Sequence, residues 1–293
     1  MQISAGPPLA LLASVTIATS GPAPAIADEM AAGRIQIAYV PPKDPAHQPL
    51  YALLQQRRAL EKVQTAFGAF RLPRDVTVRT IGCDGVANAW YQPIDGRPTV
   101  TLCYEYLQEV WEKLPQQTNM AGVTQVDALA GQLFFAVAHE FGHLSFDVYG
   151  VPVFGREEDA ADNFATYIML HFRDDARRLV GGAAWSYNMF IKDFKDNPKA
   201  TLPLAAFSSN HGQPEERYYN LLCITYGSDQ KHYADLVENG YLPQARAKDC
   251  KYEFDVLQFA FQQQIMPHID QERASQVMVT DWLTGVVPPP PMR

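Results

Sequence analysis

Two histidines four residues apart, His139 and His143, enclose a glutamate in the stretch HEFGH. On an α-helix that spacing sets two side chains about 40° apart around the axis and one turn along it, so both imidazoles can reach a single ion. Glu140 then stands beside the same ion as a carboxylate able to take a proton from water and hand it to a leaving amine. Two ligands do not complete such a site, because catalytic zinc has three protein ligands and keeps one position for water. The next acidic stretch, GREEDAAD, holds Glu158 and Asp162, again four apart on one face. Glu158 is the expected third ligand. Asp162 is expected to accept a hydrogen bond from the far nitrogen of a ligand histidine and so fix its tautomer. Glu157 competes with Glu158, but four residues beyond it stands Ala161, which offers no supporting carboxylate. Asp147 prolongs the histidine stripe, yet its Cα falls about 6 Å further along the axis, a position suited to support or capping.

The surroundings favour a metal over a chance pairing of histidines. Leu133, Phe134, Phe135, Val137, Phe141, Leu144 and Phe146 make the same helix apolar nearly all round. Three ionisable groups on such a helix need a compensating partner, because a buried unpaired charge is costly. One zinc ion per chain is therefore expected, with zinc inferred from ligand types that also suit other divalent ions.

The elements that must place these residues divide the chain into two styles. RIQIAYV (34–40) reads as a strand and PLYALLQQRRALEKVQTAFGAF (49–70) as one helix. DVTVRTIGC (75–83), ANAWYQP (87–93) and PTVTLCYEY (98–106) are rich in β-formers, with IDGR supplying a turn between the last two. After the polar QQTNMAG, a helix runs from about Val123 to Tyr149 and is stopped by Gly150 and Pro152. A second spans 156–172, and others are expected near 183–196, 214–226, 229–239 and 245–265. The expected fold class is α+β. Its N-terminal half, 28–150, carries a small mixed sheet and the HEFGH helix; the other half, 151–285, is almost wholly helical.

Composition is that of a globular protein, with 47% hydrophobic and 19% charged residues. A net charge of -8 gives no basic footprint for nucleic acid. A peptide or protein substrate fits better, and oligomeric state is not legible. The first 27 residues carry no charged side chain; an apolar run from Leu9 to Ala18 precedes the small-x-small triplet Ala25, Ile26, Ala27. We read 1–27 as an export signal, too short in its apolar run to stay as a membrane span. The mature chain, 28–293, is then a single domain in the periplasm or outside the cell, ending in a Pro-rich tail, 286–293. All four cysteines follow the signal, and an even count in an exported chain suggests disulfides, expected as Cys83 with Cys103 and Cys223 with Cys250.

HEFGH followed by EDAAD resembles the gluzincin type of zinc metallopeptidase, and the resemblance implies a zincin-like fold. The metzincin pattern is excluded, since its third and sixth positions after the second histidine, Gly and His, are here Phe146 and Tyr149. More closely, CDGVANAWY, LCYE, HEFGH, GREEDAAD and RYYNLLC together resemble a family of uncharacterised exported bacterial proteins classed as metallopeptidases. The resemblance implies two further sites. NAWY is similar to the edge strand with which thermolysin-like enzymes pair an extended substrate, placing Asn88 and Ala89 on the cleft. NHGQPEER lies where such enzymes keep a histidine that stabilises the oxyanion, which implies His211 as a catalytic residue, with Arg217 as a further substrate contact. Two other readings share the ligands: a catalytically silent, zinc-stabilised binding or inhibitory module, and a zinc hydrolase of a non-peptide amide.

Overall fold

The computed structural model describes residues 34–113, 123–172, 175–195 and 210–278. The export signal, the polar stretch after Lys113 and the Pro-rich tail lie outside the described residues. Alternation of β-branched and polar residues builds the sheet: β1 (Ile35–Tyr39), β2 (Val76–Ile81), β3 (Ala89–Ile94) and β4 (Arg97–Cys103), in the order β1-β2-β4-β3. The first three neighbours run parallel, and β3 is antiparallel to β4. The turn between β3 and β4 sets Asp95 and Gly96 at φ 49° and 75°, the left-handed pair that a tight hairpin needs. Among the described residues no strand pairs with the outer edge of β3.

The helix expected over 49–70 is broken. It divides into α1 (Gln48–Gln56) and α2 (Ala59–Ala66), with Arg58 left-handed between them at φ 52°. The Tyr39 hydroxyl compensates the break, accepting from the Leu60 amide at 2.8 Å and donating to Glu61 at 2.7 Å. The strand expected to run to residue 106 ends at Cys103, and α3 (Tyr104–Glu112) begins there. Tyr104 and Leu107 are buried with helical spacing, and Tyr104 donates to the Val40 carbonyl at 2.7 Å.

The long helix forms as α4 (Gln125–Tyr149), opened by a capping box between Thr124 and Asp127 and closed at a left-handed Gly150. It crosses the sheet with Val137, Ala138, Phe141 and Leu144 fully covered, and Phe67 stacks on Phe141 at 4.2 Å between centroids. Then follow α5 (Glu157–Leu170), α6 (Ala176–Lys195) and α7 (Pro214–Ser228). Helix α6 starts earlier than the periodicity suggested. The helix expected over 229–239 shrinks to a turn at Asp235–Glu238, and that over 245–265 divides into Gln244–Ala247 and α8 (Cys250–Gln264). A last helix, α9 (Gln271–Met278), was not anticipated. At the crossing of α4 and α6 a side chain on Gly182 would lie 1.8 Å from the Asp127 carbonyl oxygen, so only glycine permits that approach. One hydrophobic core joins sheet residues such as Val78 and Leu102 to Phe164 and Phe261 of the helices.

Candidate metal centre

HEFGH lies in the second half of α4 and EEDAAD opens α5, and the two helices pack side by side. Gly142 makes the close packing possible: a side chain there would stand 3.3 Å from both the Ala161 Cα and a ring carbon of Phe164. The helices thereby bring His139, His143, Glu158 and Asp162 together. His139 Nε2 is 3.0 Å from Glu158 Oε2, His143 Nε2 is 3.3 Å from the same oxygen, and the two Nε2 atoms are 3.2 Å apart. Zinc bonds of about 2.0–2.1 Å in tetrahedral array imply ligand separations of about 3.3–3.4 Å. The triangle is of that size.

The far nitrogens settle which way the rings are protonated. His139 Nδ1 donates to Asp162 at 2.7 Å and His143 Nδ1 donates to Glu157 at 2.7 Å. In neutral rings this leaves both lone pairs on Nε2, facing each other and a carboxylate oxygen. Lone pairs converge there, and only protons or a cation relieve them. The donor set therefore fits a divalent metal.

Charge in the site follows from burial and contacts. Burial opposes a charge on His139, but its bonds to Asp162 and Glu158 prevail and lift its pKa to about 9. Burial alone would raise Glu158, yet hydrogen bonds from His139, His143 and His211 hold it far below the usual carboxylate range. Glu140 is buried at 8% exposure. Its pKa is raised by that burial, against the pull of His139 and His143 and of the Tyr91 backbone amide.

Arg217 is not on an open substrate surface. From α7 it grips Asp162 with Nε at 2.7 Å and Nη2 at 2.6 Å while its guanidinium lies over the Tyr187 ring. Both residues are mostly covered; burial would raise the Asp162 pKa, but the hydrogen bond from His139 and then those from Arg217 hold it below the usual value. His211, expected as an oxyanion partner, lies against the candidate ligand Glu158: its Nε2 is 2.9 Å from Glu158 Oε2. His139, Glu158 and His211 offer donor atoms within 4.8 Å of one another.

Asn88 and Ala89 lie where β3 starts along α4. The Asn88 carbonyl accepts from the Cys103 amide of β4, so alternation turns the backbone of Ala89 and Tyr91 to the outer edge. Tyr91 also donates its hydroxyl to Asp147, which faces Arg74 at 3.6 Å. Asp147 thus ties β3 to the end of α4. The loop before β3 is pinned by the Cys83–Cys103 disulfide and by Glu105, which accepts from the amides of Cys83 and Gly85. Cys223 and Cys250 form the second disulfide, joining α7 to α8.

A family profile described as "Putative metallopeptidase" matches residues 39–265. The chain belongs to that family. Membership makes a metal-dependent peptidase acting on a peptide or protein the function supported, and the residues assembled around Glu158 all fall inside the matched span. No curated protein and no solved structure matches the chain. No helix among the described residues is long and apolar enough to cross a membrane.

Reading the sequence missed Glu157 as the partner of His143, Asn210 as a donor to Glu158 at 3.1 Å, and the grip of Arg217 on Asp162. Glu157 carried a signal, since neighbouring carboxylates at a helix start can serve two faces of one metal site. Asn210 carried none, and Arg217 was singled out only as a substrate contact, because the packing of α7 on α5 alone decides that it meets Asp162.

Proposed function

We propose that the chain is an exported zinc-dependent endopeptidase of gluzincin type on a zincin-like scaffold. The observation that carries this reading is the convergence of His139 Nε2, His143 Nε2 and Glu158 Oε2 with Glu140 one residue from the first ligand. Zinc held by these three residues would acidify water and polarise the scissile carbonyl. Glu140 takes the proton from that water and passes it to the departing amine, its raised pKa bringing it nearer the working range of a base. An extended substrate adds to the outer edge of β3 through the Ala89 and Tyr91 carbonyls, the Ala89 amide being held by Asn88 Oδ1 at 2.9 Å and the Tyr91 amide by Glu140, with Asn88 at the mouth. His211 supplies a donor for the oxyanion when it faces the substrate. The two disulfides support an oxidising, extracytoplasmic location.

Zinc content and cleavage of a mixed peptide library, scored on the wild type, Glu140→Gln and Glu158→Ala, test the reading. Glu140→Gln should keep its zinc and lose turnover by roughly 10²–10⁴-fold, while Glu158→Ala should lose metal. Undiminished turnover by Glu140→Gln would remove Glu140 from the mechanism. The placement of His211 on Glu158 favours a second reading, a zinc-stabilised binding module, since four protein ligands mark a structural site. That reading requires full zinc in the wild type with no peptide cleaved.

A further inference from the structure

We propose that His211 is a fourth, displaceable protein ligand of the metal, closing the site in the resting protein and leaving it when substrate binds. The inference rests on the peptidase reading and adds how such a site is restrained.

Three imidazoles converge on one atom. Glu158 Oε2 lies 3.0 Å from His139 Nε2, 3.3 Å from His143 Nε2 and 2.9 Å from His211 Nε2. All three rings present the same nitrogen, and each has an oxygen at the other: Asp162 for His139, Glu157 for His143, and Asn210 Oδ1 at 3.2 Å for His211. The Asn210 side chain also donates to Glu158 Oε1 at 3.1 Å. One amide thus sets the tautomer of His211 and braces the carboxylate between the rings. That arrangement is the one expected of a ligand with its supporting partner. It differs from that of a histidine waiting for an oxyanion, whose Nε2 would have to carry a hydrogen aimed into the cleft.

The fourth ligand differs from the others in how it is held. His139, His143 and Glu158 stand on α4 and α5, with side chains only 6%, 13% and 15% exposed. His211 precedes α7 in non-helical chain and its side chain is 43% exposed. It meets Glu158 from the solvent side. With four protein ligands a tetrahedral ion has no position for water, so hydrolysis requires one to withdraw. The exposed ligand on irregular chain is the one able to do so.

X-ray absorption on the zinc-loaded mature protein, which counts imidazoles around the metal, tests this directly. The wild type should show three, His211→Gln two, and the wild type with acetohydroxamic acid, a small oxygen chelator, two. His211→Gln should also bind zinc at least about tenfold more weakly in a chelator competition, by the scale of losses seen when metal-site partners are removed. Circular dichroism confirms that the variant is folded, and His211→Asn serves if it is not. Two imidazoles in both wild type and variant, with equal affinity, overturn the proposal while leaving the peptidase reading intact. Three imidazoles that persist with acetohydroxamic acid overturn displacement. A wild type that holds no zinc overturns the peptidase reading and this inference with it.

Discussion

Asp162 stands between a cation and a ligand: Arg217 holds it from one side, and His139 donates to it from the other. Its role is to keep the His139 hydrogen on Nδ1, so Asp162→Asn, similar in shape but able to present an amide N–H, should weaken zinc binding by roughly 10–100-fold. Chelator competition on folded protein measures this, and unchanged affinity would make the contact merely structural. A pH dependence follows at the same residue. In chelator-treated protein the His139 pKa is raised to about 9 from 6.5. Its contribution to stability is therefore complete below about 6.5 and lost as pH climbs through about 9. Zinc competes with the same proton, so its affinity should rise with pH up to about 9 and level off above; a flat profile from pH 6.5 to 9 contradicts the assignment. That His139 pairs in space with His143, and Glu158 with Asp162, was legible because residues four apart on a helix share a face, a rule that needs no tertiary knowledge. Asn210 and Arg217 were not, since nothing local in their segment marks which neighbour α7 will meet.

Between elements, what matters is how closely α4 and α5 approach. Gly142 sits inside the metal motif without touching metal, and its missing side chain sets that spacing. Gly142→Ala should push the helices apart by a few tenths of an ångström, an overpacking cost of about 1–3 kcal/mol offset by about 1 kcal/mol of helix propensity, and should weaken zinc severalfold. Urea unfolding and zinc titration of the variant check both effects; a loss of stability with zinc unchanged would mean that the pair moves together. Helix α4 was readable almost to its ends because a capping pair and a terminal glycine bound a long apolar run. The break at Arg58 was not, since the periodicity continues across it and the compensating Tyr39 hydroxyl comes from β1. The change from β4 to α3 at Cys103 was hidden for a similar reason: Tyr104 and its neighbours suit either state, and burial decides.

Across the whole molecule the two disulfides secure different things. Cys223–Cys250 closes a separation of 27 residues between α7 and α8. Replacing both with serine should cost roughly 3 kcal/mol of stability, by the loop closure lost from the unfolded chain. Cys83–Cys103 instead fastens the loop ahead of β3, so its removal should raise KM for peptides more than it lowers kcat while zinc is retained. Thermal unfolding and steady-state kinetics on the paired variants separate the two roles, and equal effects on KM would refute the division. Both pairings were legible from cysteine count and clustering, whereas the different work of each emerges only from what it joins.

The outer edge of β3 has a consequence beyond catalysis. The carbonyl row proposed to receive a peptide would equally receive the same strand of a neighbouring molecule, the route by which sheets polymerise. Residue 93, which the alternation turns outward after Ala89 and Tyr91, is proline and has no N–H to give. With that ring in place the outward edge has no N–H beyond Tyr91, and a second copy meets a row too short to extend into a polymerising sheet.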